Sequence, residues 1–109
     1  MKTAIHILTF GVLAAGAIPN KRFVGYDGNL CGVGVEALGV SHAGGADAGE
    51  QCPLAQGIEV VETGGAVTAE DEVQSDAQGR AVPKTTGVRN GKSLDTATGA
   101  GEFIRVKTF

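Results

Sequence analysis

The sequence has few of the residues that fill large cores. Its 109 residues include no Trp, one Tyr, four Phe and three Pro. A core without large aromatic side chains has to be filled by Val, Ile, Leu and Ala, and a domain of this length buries only about two-thirds of its unfolded surface. We therefore expect one domain with little stability to spare, of the kind that oligomerisation strengthens.

Metal ligands and disulfide partners are equally scarce. Cys31 and Cys52 are the only cysteines, and His6 and His42 are the only histidines. None of the four is paired at the short spacing that zinc sites use, so we expect no metal site. The two cysteines are consistent with one disulfide or with two free thiols.

Signatures of catalysis are also missing. Residues 32–39 contain Gly-x-Gly without the third glycine of a dinucleotide-binding turn, and residues 91–93 lack the upstream glycine of a phosphate loop. The acidic residues at 70–76 lack the spacing of a calcium loop. Ser41 or Cys31 with His42 stays open as a nucleophile and base pair. We nevertheless expect no enzyme, no cofactor and no small-molecule substrate.

The balance of charge argues against a nucleic-acid partner. The formal net charge is −3 and the isoelectric point is about 5.2. A nucleic-acid binder needs a basic patch that displaces counterions from phosphate groups. The nine Lys and Arg residues are scattered, and only Lys21 and Arg22 are adjacent, which is typical of a solvated surface.

The N-terminal stretch is too short and too interrupted to cross a membrane. Gly11 and Gly16 break its apolar run, so we expect no membrane partner. Residues 3–10 are rich in β-branched side chains, which favours a strand. We interpret residues 1–20 as a β-prone arm or a first strand, ahead of a single β-barrel-like domain at residues 21–109.

A different interpretation of the same N-terminus stays open. A positive start followed by an apolar stretch and small residues is also typical of a secretory signal. The alternative protein is then a secreted or periplasmic β domain with a cleaved signal peptide and a Cys31–Cys52 disulfide.

Glycine is abundant, with 18 residues, whereas average usage is about 7%. Glycine at this density implies many turns, and the apolar segments between the turns are short. This pattern predicts an all-β fold, a small Gly-rich β-barrel or β-sandwich of short strands with hairpins. The predicted strands are residues 3–10, 22–26, 30–33, 37–41, 51–55, 57–62, 72–74, 93–97 and 102–107.

Three local patterns refine this prediction. Residues 66–75 fit either one short helix capped by Thr68 or a turn into a strand at 72–74, which we favour. Pro53 indicates an edge or a bulge, because proline cannot donate to a ladder. The alternation in residues 103–107 places Phe103, Arg105 and Lys107 on one face of the last strand.

Several segments of the sequence follow one another in a recognisable order and spacing, namely residues 22–24, 37–40, 48–50, 57–61, 64–67, 76–82 and 100–106. In this order and spacing the chain resembles the small capsid cement (head decoration) proteins of tailed bacteriophages, which are sometimes labelled as phage recombinases. The resemblance runs from about residue 21 to the end of the chain.

The resemblance implies a structural protein on the outer surface of a virion, assembled in the host cytoplasm. Such proteins form trimers and bridge neighbouring subunits of the major capsid protein. We therefore expect a homotrimer whose partner is the phage major capsid protein. The candidate capsid or inter-subunit contacts are Thr3, Ile5, Ile7, Phe10 and Phe109.

Overall fold

Eight strands join into one antiparallel sheet in the computed structural model, which describes residues 3–109. No helix occurs among these residues, which confirms the all-β prediction. The strands are β1 (Ile5–Leu13), β2 (Phe23–Val24), β3 (Gly39–Ser41), β4 (Gln51–Glu62), β5 (Glu72–Ser75), β6 (Ala81–Pro83), β7 (Gly91–Ser93) and β8 (Phe103–Lys107).

The sheet curls into a nearly closed barrel. Hydrogen-bonded strands follow one another in the order β2-β3-β4-β8-β7-β5-β6. Strand β1 pairs with β4 and stands outside this order. The two ends of this order meet, because the Phe23 amide donates to the Gly79 carbonyl in the turn between β5 and β6 at 2.7 Å. A parallel bridge between Thr63 and Ala81 joins the end of β4 to β6.

The twelve-residue strand β4 separates two hydrophobic clusters. Cys52 and Leu54 belong to one cluster, whereas Val61 belongs to the other. Successive side chains in a strand point to opposite faces, so Cys52 and Leu54, at even-numbered positions, and Val61, at an odd-numbered position, serve different clusters. The larger cluster fills the barrel, with Phe23, Val40, Val73, Ile104 and Val106 among its members.

Strand β1 lies along the edge of β4 opposite to β3 and β8. Its register runs from Ile5 opposite Ile58 to Leu13 opposite Gln51. A shift between His6 and Leu8 leaves Ile7 as an extra residue, which is a β-bulge. Phe10 and Val12 of β1 pack against the smaller cluster. The segment predicted as an arm or a first strand is therefore hydrogen-bonded into the sheet over Ile5–Leu13.

Residues 66–75 form a turn and a strand, as we favoured. The Asp71 amide donates to the Thr68 carbonyl, and the Thr68 amide donates to Asp71 Oδ2, each at 3.0 Å. Glu70 adopts a φ of 75°, which a right-handed helix cannot accommodate. The alternative helix is therefore wrong, and β5 pairs with β6 in the predicted hairpin.

Four predicted strands are missing, merged or displaced in the structure. Residues 30–33 contribute a single bridge at Leu30, and the two strands predicted at 51–55 and 57–62 are one strand. The strand predicted at 93–97 lies at Gly91–Ser93 instead. It stops there because Asp95 Oδ2 accepts the Arg105 amide at 2.8 Å and so replaces a main-chain ladder bond.

Pro53 lies inside β4 and not at an edge or bulge, contrary to the prediction. It is opposite Gly11 of β1, and its carbonyl accepts the His42 amide at 3.2 Å. Because that bond uses the carbonyl, the position tolerates a residue without an amide proton.

Candidate interaction surface

The C-terminal half of β4 carries a solvent-facing sheet surface, which we call the outer face. Ile58 lies between Ile5 of β1 and Lys107 of β8, and Val60 lies opposite Arg105. Residues directly opposite each other share a face. Glu62 lies opposite Phe103. The outer face consists of Ile5, Leu8, Ile58, Val60, Glu62, Phe103, Arg105 and Lys107.

The outer face and its rim expose large apolar side chains. Ile5, Leu8 and Phe109 are more than half exposed, and Phe103 is 43% exposed. The bulged Ile7 is exposed beside them. Single exposed apolar residues are ordinary, but a contiguous group of them marks an interaction site.

Two ammonium groups cover the aromatic rings of this surface. Lys21 Nζ lies 5.3 Å from the centroid of the Phe103 ring, and Lys107 Nζ lies 4.6 Å from the centroid of the Phe109 ring. Both distances are within the range of cation–π attraction. The surface therefore combines apolar area with positive charge.

The arginine of the outer face is already engaged within the chain. Arg105 donates from Nε and Nη2 to the two Asp95 carboxylate oxygens at 3.0 and 2.8 Å. These hydrogen bonds, and then the attraction of the carboxylate, raise the pKa of Arg105 above its usual value. Arg105 therefore acts as a fixed part of the sheet.

The outer edge of β1 presents unpaired main-chain groups. Strand β1 pairs only with β4 among residues 3–109. Main-chain groups alternate between the two edges of a strand, and the Ala14 amide donates to the Glu50 carbonyl beyond the end of β4. Thr9, Gly11 and Leu13 therefore direct their main-chain groups away from β4.

Between the start of β1 and the end of β3, a recess of about 430 Å³ is lined by both histidines of the chain. His6 Nδ1 lies 2.8 Å from Oε2 of the buried Glu59, and the His6 and His42 ring centroids are 4.8 Å apart. The described residues contain no group of three His, Cys, Asp or Glu side chains that could hold a metal ion.

The proposed nucleophile and base pairs are not formed. Ser41 Oγ donates to the Pro19 carbonyl at 2.7 Å. The Cys31 thiol donates to the Val35 carbonyl at 3.0 Å and belongs to the cluster inside the barrel. Neither group is hydrogen-bonded to His42 in the described part of the chain.

The two cysteines lie in different hydrophobic clusters and are free thiols. Burial raises the pKa of both the Cys31 and the Cys52 thiol. The disulfide of the alternative secreted domain is therefore not formed in this structure. As for membranes, residues 3–109 contain no helix with the length and apolar character needed to cross one.

Most of the predicted contact residues lie at this surface. Thr3, Ile5 and Ile7 are exposed on or beside β1, and Phe109 is exposed beside Lys107. Phe10 differs, because it is half-buried against the smaller cluster. The sequence did not predict Leu8, Ile58 and Phe103 as members of the outer face. The alternation of residues 103–107 was the one signal that pointed to Phe103.

A small all-β protein with an exposed apolar face is the class that this fold and surface define. The chain belongs to the phage cement protein family, whose model matches residues 1–108. This membership confirms the resemblance and gives the protein a structural role in a phage capsid.

The fold is also similar to that of a solved phage structure. The crystal structure of the head fiber gp8.5 N base in bacteriophage phi29 matches with a TM-score of 0.76 and 16% sequence identity. The match covers 94% of this chain and 93% of that chain. At this identity the likeness shows the fold alone. No curated protein sequence matches the chain.

Proposed function

We propose that this protein decorates the outer surface of a bacteriophage capsid and stabilises the shell by bridging neighbouring copies of the major capsid protein. The observation that carries the proposal is the exposed apolar outer face on a member of the phage cement protein family. The proposal includes a homotrimer, assembly in the host cytoplasm, and a role without catalysis.

The bulged edge strand supports binding to a neighbouring chain. Strand β1 carries exposed Ile5, Ile7 and Leu8, and has no charged residue other than His6 when protonated. Long apolar edge strands are normally blunted in monomers because they pair with other chains. We infer that β1 contacts a neighbouring subunit, either through its side chains or by adding a strand to that subunit's sheet.

Bridging several subunits also explains how a small contact surface on each subunit is enough for stable binding. A protein that contacts several subunits at once gains avidity from each additional contact, so every single contact is allowed to be weak. A trimer multiplies this effect, and it adds buried area to a chain whose own core is lean.

Co-sedimentation with capsids that lack decoration tests the proposal. We expect saturable binding with a fixed number of chains per shell, and bound shells that resist heat better than bare shells. The mass of the free protein in sedimentation velocity gives the oligomeric state. Absence of binding to shells of the cognate phage would overturn the proposed function, and a monomer that binds would overturn the trimer alone.

A further inference from the structure

Lys107 of the outer face has a second lysine directly opposite it on the neighbouring strand. Lys92 of β7 lies directly opposite Lys107 of β8. Like charges in directly opposed positions destabilise a sheet. The opposed charges do not stabilise the pairing of β7 with β8, so a role in binding is the better explanation for this pair.

The lysines differ from the arginines in their partners. Each of the four arginines lies within ion-pair distance of a carboxylate. None of the lysines described in residues 3–109 has such a partner. Three of them lie on or beside the outer face: Lys21 over Phe103, and Lys92 and Lys107 at the end near Phe109.

Neighbouring carboxylates do not fully neutralise these lysines. Glu62 lies opposite Phe103, but its carboxylate is 3.3 Å from Arg22 Nη2. Glu72 lies opposite Lys92, but its carboxylate is 3.1 Å from Arg89 Nε. Glu70 lies at the rim of a recess of about 340 Å³ that Lys92 and Lys107 also line. Among the described residues, two ammonium groups therefore share this recess with one carboxylate. The fourth described lysine, Lys84, lines an acidic recess beyond β5.

We propose that the outer face docks on an acidic surface of the capsid protein, with a partner carboxylate bound between Lys92 and Lys107. This inference rests on the proposed function and names the chemistry of its partner. Lys21 supplies a second positive charge beside Phe103. Phe103 is four residues before Lys107 in β8, a distance of about 13 Å along the strand. The apolar side chains between these charges exclude water and supply contact area.

The net charge of the chain makes the docking directional. The protein carries a formal charge of −3, so most of its surface is repelled by an acidic partner. A local basic face on an acidic body orients the encounter and suppresses wrong orientations. An acidic body also avoids non-specific binding to nucleic acid before assembly.

The test compares capsid binding of the wild type with that of the double variant Lys92→Gln/Lys107→Gln at low and high salt. We expect wild-type affinity to fall as salt rises. The double variant should bind roughly threefold to tenfold more weakly at low salt and should depend less on salt. Its thermal midpoint should stay equal or rise, because the opposed charges are gone.

A matched control separates local from net charge. The double variant Ala48→Glu/Lys84→Gln makes the same change in net charge at two exposed positions outside the outer face. It should show less than half of the loss in affinity of the first double variant. Equal losses for the two double variants would overturn the local contact in favour of net charge alone.

Two further outcomes separate this inference from the proposed function. Binding that ignores both salt and the two lysines would overturn the inference and leave the proposed function standing. Binding of a short DNA duplex through Lys92 and Lys107 would also overturn it. A wild type that does not bind capsids overturns both proposals.

Discussion

The His6 side chain on β1 and the Glu59 side chain on β4 are joined by a hydrogen bond, with 2.8 Å between Nδ1 and Oε2. Glu59 is 1% exposed, and His6 provides the hydrogen bond that its carboxylate accepts within the described residues. This contact fastens the bulged end of β1 to the centre of the sheet. A buried carboxylate without a partner is costly, so the pair links the position of β1 to the stability of the barrel.

Replacing His6 should therefore destabilise the fold. We expect His6→Ala to lower the free energy of unfolding by about 1–3 kcal/mol, because the Glu59 carboxylate is left unsatisfied. Combining it with Glu59→Gln should recover part of the loss, since a neutral amide is cheaper to bury. Urea unfolding of the single and double variants measures the coupling.

Thr9→Ala on the same strand is the control and should change the stability by less than about 0.5 kcal/mol. If His6→Ala unfolds at the same urea concentration as Thr9→Ala, the contact does not stabilise β1.

The packing of β1 on β4 should depend on Gly57 more than on any other glycine. Its φ is 147°, and an added Cβ would clash with the Ile5 carbonyl oxygen and the Ile7 amide nitrogen. We expect Gly57→Ala to cost more than about 2 kcal/mol and to expose β1 amides to hydrogen exchange. Gly65→Ala is the matched control, because its Cβ would meet nothing within 4 Å. Equal stability of the two variants would contradict the assigned packing of β1 on β4.

Ile7 should contribute to capsid binding without contributing to the fold. Its side chain is 68% exposed at the bulge, and Val33, on a loop outside the outer face, is 67% exposed. We expect Ile7→Glu to weaken capsid binding by at least about tenfold, as substitution inside an interface does. Val33→Glu, with the same change in charge and similar exposure, should bind like the wild type. Equal affinities for the two variants would remove β1 from the proposed contact.

Both thiols should be unreactive in the folded protein. Burial covers Cys31 and Cys52 and raises the pKa of each thiol, so fewer thiolates are present at a given pH than in the unfolded chain. We expect no reaction with a thiol reagent at pH 8 under native conditions and two equivalents after denaturation. A single disulfide would give none in either state, which would revive the secreted alternative.

The local pattern predicted the strand at the end of the chain well. In β8, Ile104 and Val106 are buried on one face, whereas Phe103 and Lys107 are exposed on the other, as their alternation indicated. The hairpin between β5 and β6 was also predictable, since turn residues at 76–79 separate two short strand segments. Such features depend on neighbours in sequence, which the pattern contains.

The local pattern failed where contacts with segments distant in the sequence decide the outcome. Strand β7 ends at Ser93 because the Asp95 carboxylate binds the Arg105 main chain and side chain. Pro53 is tolerated inside β4 because the hydrogen bond from the His42 amide uses the Pro53 carbonyl and needs no Pro53 amide proton. Neither partner is visible in a window of sequence around the residue.

Amino-acid order was enough to establish an all-β chain with many turns, a lean aliphatic core and membership of the phage cement protein family. Which residues share a surface depended on the folded chain. Folding brings Lys21, Lys92 and Lys107, scattered along the sequence, to one face beside Phe103 and Phe109. The physical reason is that strand pairing joins residues distant in sequence, and its register decides which charges and apolar groups meet.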